Sequence, residues 1–152
     1  ELGIDGLEYS GSDFLPEYVE VARTRFPGIE FSSADIFQEH REFDYVVMSG
    51  IFHQPGGVKR SLWNRYVRAT IRDAYQIARV GIGFNILSDA VDYRSPDLHY
   101  ESVDCLLRYV VQTVSRHVVV DMSTPLFEAT FLVFRKQAIQ TRFPDAEFVR
   151  YL

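Results

Sequence analysis

The chain has 152 residues, enough for one globular domain and hardly two. Hydrophobic residues make up 47% and aromatic residues 14%, which excludes a disordered chain. A net charge of −5 gives no broad attraction for phosphate backbones, so nucleic acid is disfavoured as a partner, and the lone Cys105 excludes an internal disulfide.

No Cys/His cluster has zinc-ligand spacing, no apolar run is long enough for a membrane span, and no signal peptide opens the chain. The expectation is a cytoplasmic protein. The first residue is Glu1, and the opening segment ELGIDG reads like the last turn of a helix followed by a link. This predicts a chain that starts inside a domain.

Short β-like runs alternate with helical patterns, which predicts an α/β fold with a mainly parallel sheet. Leu7 to Ser12 is the first strand and ends at Asp13. Leu15 to Phe26 is a helix, with Pro16 at the first helical position, where proline is tolerated. Leu15 has no side-chain acceptor and predicts a poor N-cap. Tyr18, Ala22 and Phe26, with Val19 beside them, predict one buried stripe, and Pro27-Gly28 stops the helix.

Ile29 to Ser33 is the next strand, ending at Asp35. Phe43 to Ser49 (FDYVVMS) is continuous and apolar, as a parallel strand covered on both faces is expected to be. Gly50 to Val58 is loop, broken by Pro55-Gly56-Gly57. Ser61 to Ala78 is the longest helix, with Trp63, Val67, Ile71, Ala74, Tyr75 and Ala78 at helical spacing and Gly81 just past its end.

Val80 to Leu87 is a strand, and the polar and aromatic stretch Ser88 to Glu101 is loop. Ser102 to Ser115 is a helix with Leu106, Val110 and Val114 on one face. His117 to Asp121 and Glu128 to Arg135 are the last strands, and 136–152 is a C-terminal tail. The connection between these strands is about half a dozen residues, too short for a parallel crossover, so the pair is predicted antiparallel.

In open α/β sheets, ligands bind at the carboxyl ends of the strands. Three strand ends here carry polar or small residues: Asp13, Asp35 and Ser49-Gly50. A carboxylate ending such a strand offers two acceptor oxygens to ribose hydroxyls, and Phe14 could cover an adenine face. Asp13 reads equally as a cap or turn former. His53, on a Pro/Gly loop, is the candidate general base, the alternative being a solvated loop histidine. Asn85, Ser88 and Tyr93, with Asp89, His99 and Tyr100, are candidates for an acceptor pocket or else a surface loop. His40 and His117 read as structural.

The segments YSGSDFLPEYVEVARTRFPGIEFSSADIF, FDYVVMSGIF, GIGFNILSDAVDYRSPDLHY and PLFEATFLVF, in this order, resemble the class I S-adenosylmethionine-dependent methyltransferases. The likeness is greatest to a bacterial group with SGIF and FN-x-LS segments. It runs from about Leu7 to Arg135. It implies a Rossmann-like three-layer sandwich, mostly parallel, with strand order 3-2-1-4-5-7-6 and an antiparallel C-terminal hairpin.

The resemblance also implies S-adenosylmethionine as cofactor and a small-molecule acceptor. Asp13 would bind ribose, Phe14 would lie near the adenine, and Asp35 and Ile36 would sit at the adenine edge. Ser49, Gly50 and Phe52 would line the methionine end. The family's first strand and glycine-rich loop have no counterpart here, so a strand and helix of about 30 residues are expected before Glu1. His53 stands where the group has Asn, and the loop is not the D/N-PP-Y/F type of many amino-group methyltransferases. The expectation is a partial, single methyltransferase domain of low or no activity. A non-catalytic interaction module and a NAD(P)-binding Rossmann enzyme are the alternatives.

Overall fold

A computed structural model describes residues 6–33, 35 and 39–149. The chain falls into two compact units, residues 1–40 and 41–152.

In the first unit, β1 (Ser10–Ser12) and β2 (Glu30–Ser32) pair in parallel, Gly11 opposite Phe31, and α1 (Pro16–Arg25) makes the crossover between them. Both strands are shorter than the sequence runs predicted. A Cβ on Gly11 would meet the Phe31 ring at 2.7 Å, so glycine permits this close approach. Arg23 ties the helix to the sheet, donating from Nε and Nη2 to the Phe31 carbonyl at 3.1 and 2.7 Å.

The predicted buried stripe on this helix does not form. Val19 is buried, but Tyr18 and Phe26 are 62% and 46% exposed. Two three-residue strands are too narrow a surface to cover a helix face, and helical spacing alone does not supply a partner.

The second unit is built on β3 (Phe43–Met48), α2 (Arg60–Ile77) and β4 (Ala78–Ser88). The two-residue β5 (Tyr100–Glu101), α3 (Val103–Thr113), β6 (Val118–Asp121) and β7 (Glu128–Phe134) follow. Short helices α4 (Lys136–Arg142) and α5 (Ala146–Val149) occupy the predicted tail. The sheet order is β3-β4-β7-β6, with β5 alongside β4. β3 and β4 are parallel, and β7 is antiparallel to both β4 and β6, as the short final connection required.

Two expectations are corrected here. The stretch from Ser88 to Glu101 is not all loop: its end pairs with β4, Leu87 opposite Tyr100 and Ser88 opposite Glu101. Two residues carry no readable period, so only the pairing defines this strand. β3 is not covered on both faces, because Met48 is buried while Tyr45 and Val47 are 60% and 74% exposed. Among the described residues of its unit β3 has one strand neighbour, β4, and the Tyr45/Val47 face has no cover. α2 runs directly into β4, and Gly81, just past the helix end, lies within the predicted strand.

Arg135 takes over the capping of α2. Its guanidinium donates to the carbonyls of Ala78 and Gln76 at 2.8 and 2.9 Å, and also to that of Tyr75. It stacks 4.1 Å over the Tyr75 ring. A cation is favoured at carbonyls that a helix end leaves open.

The core lies between this sheet and its helices. Val67, Ile71 and Ala74 of α2 and Leu106 and Val110 of α3 are fully buried, as are Ala129, Phe131 and Val133 of β7. Phe84 stacks on Phe131 directly across the strand pair, ring centroids 5.0 Å apart at 5°, and Phe52 meets Phe84 edge-on at 6.1 Å. Each such aromatic contact adds about 0.5–1.5 kcal/mol beyond area burial. No helix among the described residues is long and apolar enough to cross a membrane.

Candidate functional site

Asp13 follows the carboxyl end of β1. Its Oδ1 accepts from the Leu15 amide at 2.8 Å, an Asx turn just before α1, whose first amides receive no side-chain cap. Of the cap and turn roles anticipated for this residue, the turn is the one formed, and it uses one of the two carboxylate oxygens. Phe14 is 57% exposed. Asp35 is half-buried just beyond β2. Ile36 lies outside the described residues.

In the second unit, Ser49 and Gly50 follow the carboxyl end of β3, and both are exposed. Gly50 has φ +73°, a left-handed conformation that favours glycine. Its amide donates to Asn85 Oδ1 at 2.7 Å, and Asn85 Nδ2 donates to Glu128 Oε2 at 2.7 Å. Asn85 is thus a strut between the loop after β3 and the start of β7, with both ends of its amide engaged. Phe52 turns into the core, 1% exposed. Ser88 is also buried, its Oγ accepting from the Ala90 amide at 3.1 Å. Tyr93 is 72% exposed and meets Phe127 edge-on.

His53 is half-buried, and its Nε2 has no hydrogen-bond partner. Burial lowers its pKa below the ordinary histidine value; Glu128 opposes the shift and His99 adds to it. The His53 carbonyl accepts from the His99 amide at 2.8 Å, which joins the loop after β3 to the segment before β5.

His99 also lines a cleft of about 410 Å³. Pro55 and Val58 line it from the first loop, and Leu98, His99 and Tyr100 from the second. Arg60 and Arg94 also line it. Both loops follow the carboxyl ends of parallel strands, where open α/β sheets bind ligands. The volume falls in the range of small-molecule sites.

His99 is braced from behind. Its Nε2 lies 3.2 Å from Glu101 Oε2, and the other Glu101 oxygen accepts from Arg68 Nη2 at 2.9 Å. His99 and Glu101 are 6% and 3% exposed. Burial pushes the Glu101 carboxyl up, but the hydrogen bonds from His99 and Arg68 and the Arg68 charge outweigh it and hold the pKa below the ordinary value. A carboxylate bonded to one ring nitrogen fixes the imidazole's tautomer and orientation. The sequence named His99 only among loop candidates and did not single out Arg68 or Glu101. Arg68 stands 33 residues from Glu101, and no spacing signal links them.

No family model matches the chain. A Mycobacterium tuberculosis protein named "Putative methyltransferase Rv1506c" is 33% identical over 132 residues, which span 83% of this chain and 78% of that one. Among solved structures, magnesium protoporphyrin IX methyltransferase (ChlM) from Synechocystis PCC 6803, with bound SAH, is similar with a TM-score of 0.63 at 13% identity. The match covers 84% of this chain and 64% of that structure. The S-adenosylmethionine-dependent methyltransferase SibL, in its apo form, gives a TM-score of 0.59 at 10% identity, over 84% of this chain and 42% of the other. At these identities the structural likeness is one of fold.

Proposed function

The chain belongs to the class I S-adenosylmethionine-dependent methyltransferases, and from that membership we propose that it serves methyl transfer to a small-molecule acceptor held in the cleft beside His99. The cofactor, when bound, supplies an electrophilic methyl group on a sulfonium, so the chemistry is the cofactor's and the protein's part is binding and alignment.

Each unit by itself offers groups suited to part of such a cofactor. The Asp13 carboxylate keeps one oxygen outside the Leu15 bond, available to ribose hydroxyls, and the exposed Phe14 ring offers a flat apolar surface. Asp35 and Ile36 are proposed for the adenine edge. In the second unit, Gly50 holds its backbone open after β3, supported by Asn85, and Ser49 stands beside it.

The observation that carries the acceptor's place is the cleft wall formed by a buried histidine that is itself held by a buried carboxylate. With Nε2 engaged by Glu101, Nδ1 of His99 is left to take a proton from an acceptor hydroxyl or amine. His53 fits that role less well, since burial disfavours its charged form and no carboxylate hydrogen-bonds it.

Isothermal titration of the protein with S-adenosylmethionine tests the reading. Saturable binding is expected, with Asp13→Ala weakening it about tenfold, the loss of a charge-assisted hydrogen bond. An absence of binding sinks it.

A further inference from the structure

We infer that the acceptor carries an oxyanion, a carboxylate or a phosphate monoester, which seats against Arg60 and Arg94 in the cleft. The inference rests on the methyltransferase reading for calling the ligand an acceptor, but the anion site itself stands on geometry.

Both guanidiniums are tethered without being neutralised. Arg60 Nη2 donates to the Tyr100 carbonyl at 3.2 Å, and Arg94 Nη2 donates to the Asp89 carbonyl at 2.9 Å. Arg94 also lies 5.5 Å over the Tyr100 ring. Each tether is to a backbone oxygen or a ring face, so it orients the guanidinium without pairing it to a carboxylate. Neither arginine forms an ion pair with a carboxylate among the described residues. Arg23, Arg72 and Arg79, by contrast, each pair with a neighbouring acid.

The cleft lining contains no aspartate or glutamate. Glu101, behind His99, is already committed to His99 and Arg68. In a chain of net charge −5, a cleft lined by two arginines and no acid is a local reversal of sign. Arginine presents five donors in a planar fork, and each of these spends one on its tether, so donors remain for an oxyanion.

The rest of the lining gives the ligand's other end. Pro55, Val58 and Leu98 with the Tyr100 ring form an apolar wall, suited to a flat or aliphatic body. A concave site of this volume fits a small molecule, not a membrane surface or a nucleic-acid backbone.

Three probes of one shape separate charge from shape: benzoate, phenyl phosphate and the neutral benzamide. Each is titrated into the full chain, followed by backbone amide shifts of Leu98, His99 and Tyr100. The expected result is that at least one anion binds about tenfold or more tightly than benzamide. Which anion wins tells carboxylate from phosphate. Arg60→Gln and Arg94→Gln should each weaken the anion by about tenfold and leave benzamide unchanged, as loss of a charge-assisted contact does. Both side chains are exposed, so neither change removes core packing.

Equal affinity of benzamide and the anions overturns the inference. So does anion binding that survives the double arginine variant, or no binding of any probe at millimolar concentration. S-adenosylmethionine is titrated in parallel. Failure there sinks the methyltransferase reading alone, whereas unselective probes with intact cofactor binding sink the anion site alone.

Discussion

His99 Nε2 sits 3.2 Å from Glu101 Oε2, two residues away along the chain, and both side chains are buried. Residues two apart on a strand point to the same face. The hydrogen-bonded His99 amide and the β5 ladder hold this segment extended, so the spacing that brings the two groups together is set by the backbone. Arg68 then reaches Glu101 from α2.

This arrangement makes a stability prediction. Glu101→Ala leaves the Arg68 charge and the His99 ring without their partner, and should destabilise the fold by about 3 kcal/mol in urea unfolding. Because the folded pKa of Glu101 lies below its unfolded value, its contribution is fully present above the ordinary value of about 4.3 and lost as pH falls through the folded one. Glu101→Gln should therefore be less sensitive to acid than the parent. A parallel decline of both proteins below that pH would count against the assignment.

His53 titrates in the opposite chemical sense but with the same pH direction. Burial favours its neutral ring, so its contribution is complete above the unfolded value of about 6.5 and declines as pH falls through the lowered folded value. A ring-proton NMR titration should give a midpoint below the ordinary histidine value. A midpoint above it would show that Glu128, and not burial, governs this ring.

The Asn85 strut can be tested with two substitutions. Asn85→Ala strips the Gly50 amide and the Glu128 carboxylate of their partners and should cost about 1–2 kcal/mol. Asn85→Asp keeps the acceptor for Gly50 but sets a second carboxylate against Glu128, and should be the worse of the two at neutral pH. Acidification should narrow the gap. Equal stability of the two variants at every pH would remove the strut.

The two glycines of β4 should behave differently. A Cβ on Gly81 would meet the Val133 carbonyl oxygen at 2.6 Å and the Phe134 ring at 3.2 Å, so the backbones of β4 and β7 must part. Gly81→Ala is expected to cost about 1–3 kcal/mol. At Gly83 the nearest atom is Leu132 Cδ2 at 3.4 Å, an ordinary contact, and Gly83→Ala should be neutral or slightly stabilising. Thermal unfolding of both variants checks the contrast.

Much of this organisation could be read along the chain. The order of strands and helices follows from runs and breakers that act locally, such as FDYVVM before the Pro55-Gly56-Gly57 loop. The antiparallel ending follows from chain reach, since six residues between β6 and β7 cannot make a parallel crossover. The strand-end residues Asp13, Asp35, Ser49 and Gly50 were legible for the same reason, each marking where a run stops.

What local pattern could not decide is which surfaces meet. Helical spacing made Tyr18 and Phe26 candidates for burial, yet burial needs a facing surface, and β1 and β2 supply one only for Val19. Phe52 stood in a loop suggestive of ligand contact, and only packing against Phe84 shows that it belongs to the core. The chain of Arg68, Glu101 and His99 joins a helix to a strand across 33 residues, and the cleft they back takes Arg60 from the start of α2 and Arg94 from the loop after β4. Local propensity and chain reach act over a few residues, so they determined the elements. Charge pairing and burial act through space, so the site existed only once the tertiary structure had brought those side chains together.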